Sequence, residues 1–240
     1  ETGAWLERGL VAQGLKTDFV HLDHGMTRIN VKIKAGQETE LNGAGPDIPE
    51  SAMQALEEKL DRLQKGDILI LAGSIPASLA QTTYERILAR LEGRDIRAVV
   101  DATRDLLVNV LRYKPFLIKP NNHELSEIAG VKLTNDNEIV TAARMMQAKG
   151  ARNVLVSMAG DGALLLDEQG GVHRIGCPKG KVVNSVGAGD SMVAGFVAGY
   201  QQSGGDYAAA LKLGTACGSA TAFSLGLATK ADIDKLLKTM

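Results

Sequence analysis

The chain has 240 residues, enough for one large domain that folds without disulfide bonds or a structural metal. Hydrophobic residues make up 45% of it and charged residues 23%, a composition that excludes disordered and fibrous proteins. Its 27 basic and 28 acidic residues give no net charge that would attract nucleic acid or an anionic membrane, and no apolar run approaches the roughly 18 residues of a membrane span. We therefore expect a soluble, cytoplasmic protein with neither kind of partner.

The predicted elements begin with an amphipathic helix over residues 4–13. Polar and apolar residues then alternate over residues 27–34, which predicts a strand with Ile29, Val31 and Ile33 on one face and Arg28 on the polar face. A turn at Gly36 leads to a second strand at 38–41, and the glycines and prolines of 42–49 mark a boundary.

After residue 49, helical patterns alternate with short apolar runs. Helices are predicted at 50–63, 79–91, 104–111 and 138–147, and buried strands at 68–71, 98–100, 116–118 and 154–156. A hairpin over 162–166 and 172–175 follows, and residues 191–240 predict three helices with breaks at 203–205 and 225–226. The fold class is therefore α/β, with a mostly parallel sheet, helices on both of its faces and a small β-sheet lid.

In open parallel sheets, ligands bind where loops follow the carboxyl ends of the strands. The loop Gly187-Ala188-Gly189-Asp190 precedes a helical run, so its backbone amides and the helix N-terminus predict an anion site, most simply for phosphate. Asp190 beside an anion is explained if it takes a proton from an attacking hydroxyl. The alternative is that Asp190 caps the helix and the glycines form a tight turn.

Two further loops allow two interpretations each. Asn121 and Glu124 have the spacing of a capping box, and they could also help to hold Mg²⁺. The preceding Lys119 is either a solvated residue or a phosphate ligand. Residues 157–162 have the glycine spacing of a nucleotide-binding turn or of an ordinary hairpin connection.

Taken together, the loops at 184–191, 119–124 and 157–162 resemble those of the ribokinase (PfkB) superfamily of sugar kinases. Within it, segments 27–32, 38–43 and 72–76 are similar to those of the bacterial 1-phosphofructokinases. The resemblance implies a ribokinase-like domain over residues 1–240, in which residues 19–45 form lid strands and residues 49–240 form the α/β core. It also implies that the N-terminal part of the domain, with further lid strands and sugar-binding segments, is missing from this sequence.

The resemblance further implies the roles of individual residues. Asp190 would be the catalytic base, with Gly187, Ala188 and Gly189 as the anion hole. Mg²⁺ would be placed by Asn121 and Glu124, and the sugar phosphate would be held by Arg28 and Ser74, with Arg104 as a further basic candidate. The residues along ATP would be Lys119, Asn121, Ser157, Ala159, Gly160, Gly162 and Ser185.

The activity implied is transfer of a phosphoryl group from ATP to the 6-hydroxyl of fructose 1-phosphate, giving fructose 1,6-bisphosphate. The alternatives are a kinase of tagatose 6-phosphate and, because of the missing segment, a non-catalytic nucleotide-binding module. The resemblance also allows a homodimer through the lid or through an exposed sheet edge.

Overall fold

The structure, a computed structural model, describes residues 2–35 and 37–240. The helices are α1 (Thr2–Ala12), α2 (Glu50–Leu60), α3 (Thr83–Arg90), α4 (Arg104–Val110), α5 (Asn122–Ala129), α6 (Asp136–Ala148), α7 (Ala188–Gln202), α8 (Tyr207–Ala222) and α9 (Lys230–Leu237). The strands are β1 (Asn30–Ala35), β2 (Gln37–Asn42), β3 (Ile68–Ala72), β4 (Arg97–Asp101), β5 (Leu117–Ile118), β6 (Asn153–Ser157), β7 (Ala163–Leu166) and β8 (Val172–Ile175).

The chain divides into two compact units, the first comprising residues up to Lys65 together with Ser74–Arg94. In this unit β1 and β2 form an antiparallel hairpin in which Val31 pairs with Leu41. Helices α2 and α3 are joined by ion pairs, because the buried carboxylate of Glu57 accepts hydrogen bonds from Arg86 and Arg90. The ion pairs between the arginines of α3 and the glutamate of α2 thus hold the two helices side by side.

The second unit comprises Gly66–Gly73 and Asp95–Met240 and contains a six-stranded sheet in the order β3-β4-β5-β6-β7-β8. The pairs from β3 to β6 are parallel, and β7 and β8 add an antiparallel hairpin at the other edge. The strands β5, β6 and β7 are almost wholly buried because helices of this unit cover them. The mostly parallel α/β sheet predicted from the apolar runs is therefore confirmed.

Helices α7 and α8 pack so closely that glycine is required at their contact. A Cβ atom at Gly214 would lie 2.9 Å from the carbonyl oxygen of Met192, and one at Gly218 would lie 2.9 Å from that of Ala188. On the α7 side, a Cβ atom at Gly195 would lie 2.6 Å from Sγ of Cys217. This close packing fixes the position of the first turn of α7 against α8.

Two features of the first unit differ from expectation. Strand β1 begins at Asn30, so Arg28 precedes the strand; the ladder stops where the amide of Gly43 donates to the carbonyl of Ile29. The apolar side of the hairpin, with Val31 and Leu41, is exposed, since two strands alone offer too little surface to cover it. The predicted turn at Gly36 lies outside the described residues.

The compact unit that contains the hairpin also contains α2 and α3. The division into lid strands at 19–45 and an α/β core at 49–240 stays a prediction. Within residues 2–35 and 37–240, no helix is long and apolar enough to cross a membrane. Self-association through the hairpin or the free edge of β3 stays a prediction.

Candidate active site

A buried lysine lies between the end of a strand and the first turn of a helix. Lys119 follows β5, is only 7% exposed, and its Nζ lies 3.3 Å from Oδ1 of Asp101 at the end of β4. A Cβ atom at Gly189 would lie 3.1 Å from the same Nζ, so the ammonium group also contacts the first turn of α7. The interpretation of Lys119 as a solvated residue is therefore wrong.

The N-terminus of α7 has the geometry of an anion site. Gly187 is the N-cap, with φ of 78°, a left-handed conformation that favours glycine. The helix begins at Ala188 rather than at the predicted residue 191. The amide of Ala188 donates to the carbonyl of Ser185 at 3.2 Å, whereas the amides of Gly189 and Asp190 lie in a first turn that offers them no intrahelical acceptor.

Asp190 is the third residue of α7, and its side chain is exposed. The N-cap is Gly187, so Asp190 is not the capping residue, and the interpretation of its carboxylate as an N-cap is wrong. The neighbouring Ser191 contacts Thr221 at the end of α8, with 2.9 Å between their hydroxyl oxygens. This contact holds the turn that carries Asp190 in place.

The capping box at α5 is present in full. The side-chain oxygen of Asn121 accepts from the amides of His123 and Glu124 at 2.9 and 2.8 Å, and the carboxylate of Glu124 accepts from the amide of Asn121 at 2.8 Å. Only one Glu124 oxygen takes part, which leaves a carboxylate oxygen for a cation. The side-chain oxygen of Asn121 already accepts two hydrogen bonds, so the remaining Glu124 oxygen is the group that fits a Mg²⁺ ion that arrives on phosphates and keeps its waters.

The carboxyl group of Asp101 has a raised pKa. Burial raises the pKa of Asp101, the charges of Asp190 and Glu124 raise it further, and Lys119 opposes the increase. Within the described residues, no group of three or more metal-ligating side chains has the arrangement of a metal site. The sequence analysis gave Asp101 no role. The signal available was its position directly after the apolar run 98–100, at the carboxyl end of a predicted strand.

The loop from Ser157 to Gly162 lies beside the α5 start, because Ser157 forms a parallel bridge with Asn121. Ala159 has φ of 46°, and Gly160 is open on the side where a side chain would point. Gly162 has φ of 92°, and a Cβ atom there would lie 2.1 Å from the carbonyl oxygen of Ile175. Gly162 is therefore required by the packing of β8, whatever else it contacts.

An exposed apolar surface borders the N-terminus of α7 and was not predicted. It consists of Val182, Val183, Val186, Leu225 and Leu227. A Cβ atom at Gly187 would lie 2.9 Å from Cδ2 of Leu227, and the side-chain amide of Asn184 donates to the carbonyl of Leu225 at 2.9 Å. The surface thus contacts the turn that forms the candidate anion site.

The substrate candidates of the first unit contact each other. Nη1 of Arg28 lies 2.7 Å from Oγ of Ser74, and its Nε lies 2.8 Å from Oδ1 of Asn30. Arg104, the weaker candidate, is exposed and forms an ion pair with Glu127 at 3.4 Å.

The family model described as pfkB family carbohydrate kinase matches residues 1–234. The chain belongs to this family. It is 46% identical over 236 residues to a 1-phosphofructokinase of Bacillus subtilis (strain 168), which covers 98% of this chain and 77% of that protein. It is 36% identical over 239 residues to a D-tagatose-1-phosphate kinase of Bacillus licheniformis, and the match covers 99% of this chain and 77% of that protein.

Among solved structures, a putative phosphofructokinase from Staphylococcus aureus superposes with a TM-score of 0.88 at 38% identity, covering 98% of this chain and 76% of that one. These matches agree with the fold class and family predicted from the loops. The protein is a carbohydrate kinase, its relatives act on sugar phosphates, and membership of the family implies ATP as the phosphoryl donor.

Proposed function

We propose that this chain transfers the γ-phosphoryl group of ATP to the 6-hydroxyl of fructose 1-phosphate. The observation that carries the proposal is the first turn of α7, where the exposed Asp190, the free first-turn amides and the buried ammonium of Lys119 occur together. The choice of sugar is supported by the 46% identity to a 1-phosphofructokinase.

In this mechanism Asp190 takes the proton from the attacking hydroxyl. The amides of Gly187 and Gly189, with the α7 N-terminus, stabilise the charge that develops on the transferring phosphoryl group. Ala188, which the resemblance includes in the anion hole, is left out because its amide already donates to the carbonyl of Ser185. The ammonium of Lys119 adds a fixed positive charge beside Gly189. Since transfer of a phosphoryl group depends mostly on position and charge, these groups cover the chemistry that the protein has to supply.

The nucleotide would lie along the loops of the second unit. Ser185 and the loop 157–162, with Ser157, Ala159, Gly160 and Gly162, would follow its phosphates and sugar, and the apolar surface around Leu227 suits a flat base. Asn121 and Glu124 would hold Mg²⁺ through water. When bound, the ion would supply positive charge to the phosphate oxygens.

The sugar is tested by measuring ADP release with fructose 1-phosphate, tagatose 1-phosphate, tagatose 6-phosphate and fructose 6-phosphate. We expect the highest kcat/KM for fructose 1-phosphate. The relative from Bacillus licheniformis makes tagatose 1-phosphate the second candidate. Binding of an ATP analogue without sugar-dependent ADP release would contradict the proposal and favour a non-catalytic nucleotide-binding module.

Arg28 would bind the phosphate of the sugar. Its guanidinium donates from Nη1 to Ser74 and from Nε to Asn30, and these contacts restrict its orientation, while a guanidinium is the group best suited to bind a phosphate. Arg28→Ala should raise KM for the sugar phosphate about ten- to a hundredfold while KM for ATP stays within twofold. Arg62→Ala, which removes another arginine of the same unit, is the control; equal increases in both KM values would refute the assignment.

A further inference from the structure

We propose that Asp101 makes nucleotide binding depend on a divalent cation, by balancing the charge of Lys119 and adding negative charge beside the phosphate site. The inference rests on the proposed nucleotide site at α7. It concerns a residue that neither the sequence motifs nor the mechanism above employs.

The first argument is the position of the ammonium group. Lys119 is buried, and its Nζ lies 3.3 Å from Asp101 and against Gly189 at the anion site. A buried ammonium group needs a counter-charge, and Asp101 supplies it in the absence of nucleotide. An arriving phosphate therefore meets a cation whose charge is already compensated.

The second argument is the sum of charges. Asp190 directly follows Gly189, which contacts Nζ of Lys119, and the carboxylate of Glu124 accepts from the amide of Asn121, two residues after Lys119. The charges of both carboxylates act on the Asp101 carboxyl group. Three carboxylates and one ammonium group carry a net charge of about −2, against which the helix N-terminus contributes about half a positive charge. Such a site repels a bare polyphosphate, so a divalent cation bound to the nucleotide has to offset both sets of negative charges.

Replacement of Asp101 by Asn removes one negative charge and keeps an oxygen near Nζ. The uncompensated ammonium group should then attract phosphate by itself. We expect a metal-free nucleotide to bind roughly tenfold more tightly to Asp101→Asn than to the unsubstituted chain, while affinity for the Mg²⁺ complex changes much less. A purely structural role for Asp101 would weaken both affinities together.

The experiment is calorimetric titration with a non-hydrolysable ATP analogue, once with excess Mg²⁺ and once with EDTA. The readout is the ratio of the two dissociation constants for the unsubstituted chain, Asp101→Asn and Asp101→Ala. The second variant removes the same charge if the first folds poorly. Asp136→Asn, which breaks the ion pair with Arg174 in the same unit, is the matched control.

A fall of about tenfold in this ratio for either Asp101 variant, with the control unchanged, supports the inference. An unchanged ratio in a folded variant, or an equal change in the control, overturns it while the proposed function stands. If the unsubstituted chain binds no analogue under either condition, both the inference and the proposed function fail.

Discussion

At the residue scale, the proposed mechanism assigns the catalytic base to Asp190. Its carboxylate is exposed on the first turn of α7, and the N-cap of that helix is Gly187, so Asp190→Asn keeps the size of the side chain without removing a cap. We expect kcat to fall about 10²- to 10⁴-fold, since the incoming hydroxyl loses its positioned base. Calorimetry should show that affinity for an ATP analogue is largely retained; a variant with nearly full kcat would mean that Asp190 is not the base.

A second residue-scale effect concerns stability at acid pH. Burial of Asp167 acts to raise its pKa, but hydrogen bonds from the His173 ring and from the amides of Gly171 and Gln169 outweigh it and lower the pKa. The ionised form therefore stabilises the fold. That contribution is present above the unfolded pKa of about 3.9 and is lost as the pH falls through the lower folded value.

Asp167→Asn should thus lower the free energy of unfolding by about 1.5 to 3 kcal/mol near pH 7. The difference from the unsubstituted chain should shrink below about pH 4, where the carboxyl group is protonated first in the unfolded state and, at still lower pH, in the folded state as well. Urea unfolding at a series of pH values measures it. A difference that grows toward acid pH would contradict the assigned direction, and Asp136→Asn, at an exposed ion pair, should cost less at every pH.

At the element scale, the contact between α7 and α8 sets the position of the anion site. A Cβ atom at Gly218 would press on the carbonyl of Ala188 in the first turn, whereas one at Gly199 would lie 2.9 Å from Cα of Ala210, near the other end of α7. Each Gly→Ala change should cost about 1 to 3 kcal/mol through overpacking, more than the gain in helix propensity.

The two variants should differ in binding. Gly218→Ala displaces the turn that carries Gly189 and Asp190, so affinity for the ATP analogue should fall about tenfold or more, since small misplacements of a site are costly. Gly199→Ala should leave this affinity within twofold. Thermal unfolding and calorimetry on the same samples separate the two effects; equal losses of affinity would show that the α7 start is not a rigid extension of this contact.

The elements themselves were predictable to different degrees. Apolar runs predicted β4, β5 and β6, because both faces of these strands are buried and only apolar residues satisfy that. The start of α7 at Ala188 was placed too late, because Gly187 and Gly189 have low helix propensity and the tertiary contact with Gly218 overrides it. Helix propensity reflects only the local sequence, whereas the contact of Gly218 with Ala188 joins residues thirty positions apart.

The sequence predicted the loops of the candidate site but not the contacts between residues of different loops. Asp190, Asn121 and Glu124 were proposed as site residues because they lie in short motifs. The contact of Asp101 with Lys119 depends on β4 and β5 being neighbours, which a motif does not encode. The apolar surface around Leu227 was missed for a similar reason, since exposed apolar residues in a loop show no periodicity.

At the scale of the whole molecule, the two units carry different candidate residues, and this predicts two separate footprints in hydrogen exchange. The loops assigned to ATP belong to the second unit, and Arg28 with Ser74 belongs to the first. Bound ligand suppresses local opening of the backbone that it contacts. An ATP analogue with Mg²⁺ should slow exchange in the first turn of α7 and in residues 157–162, while α6 stays unchanged.

Fructose 1-phosphate should instead slow exchange around Arg28 and around Ser74, two segments 46 residues apart in sequence that meet through one hydrogen bond. Simultaneous protection of both segments is the decisive observation, because neither is a continuation of the other and a nonspecific effect would not select this pair. Arg28→Ala should abolish both effects and leave the footprint of the ATP analogue intact. If fructose 1-phosphate slowed exchange only in the second unit, the assignment of Arg28 would be contradicted. The residues that bind the acceptor would then belong to the same unit as those assigned to the nucleotide.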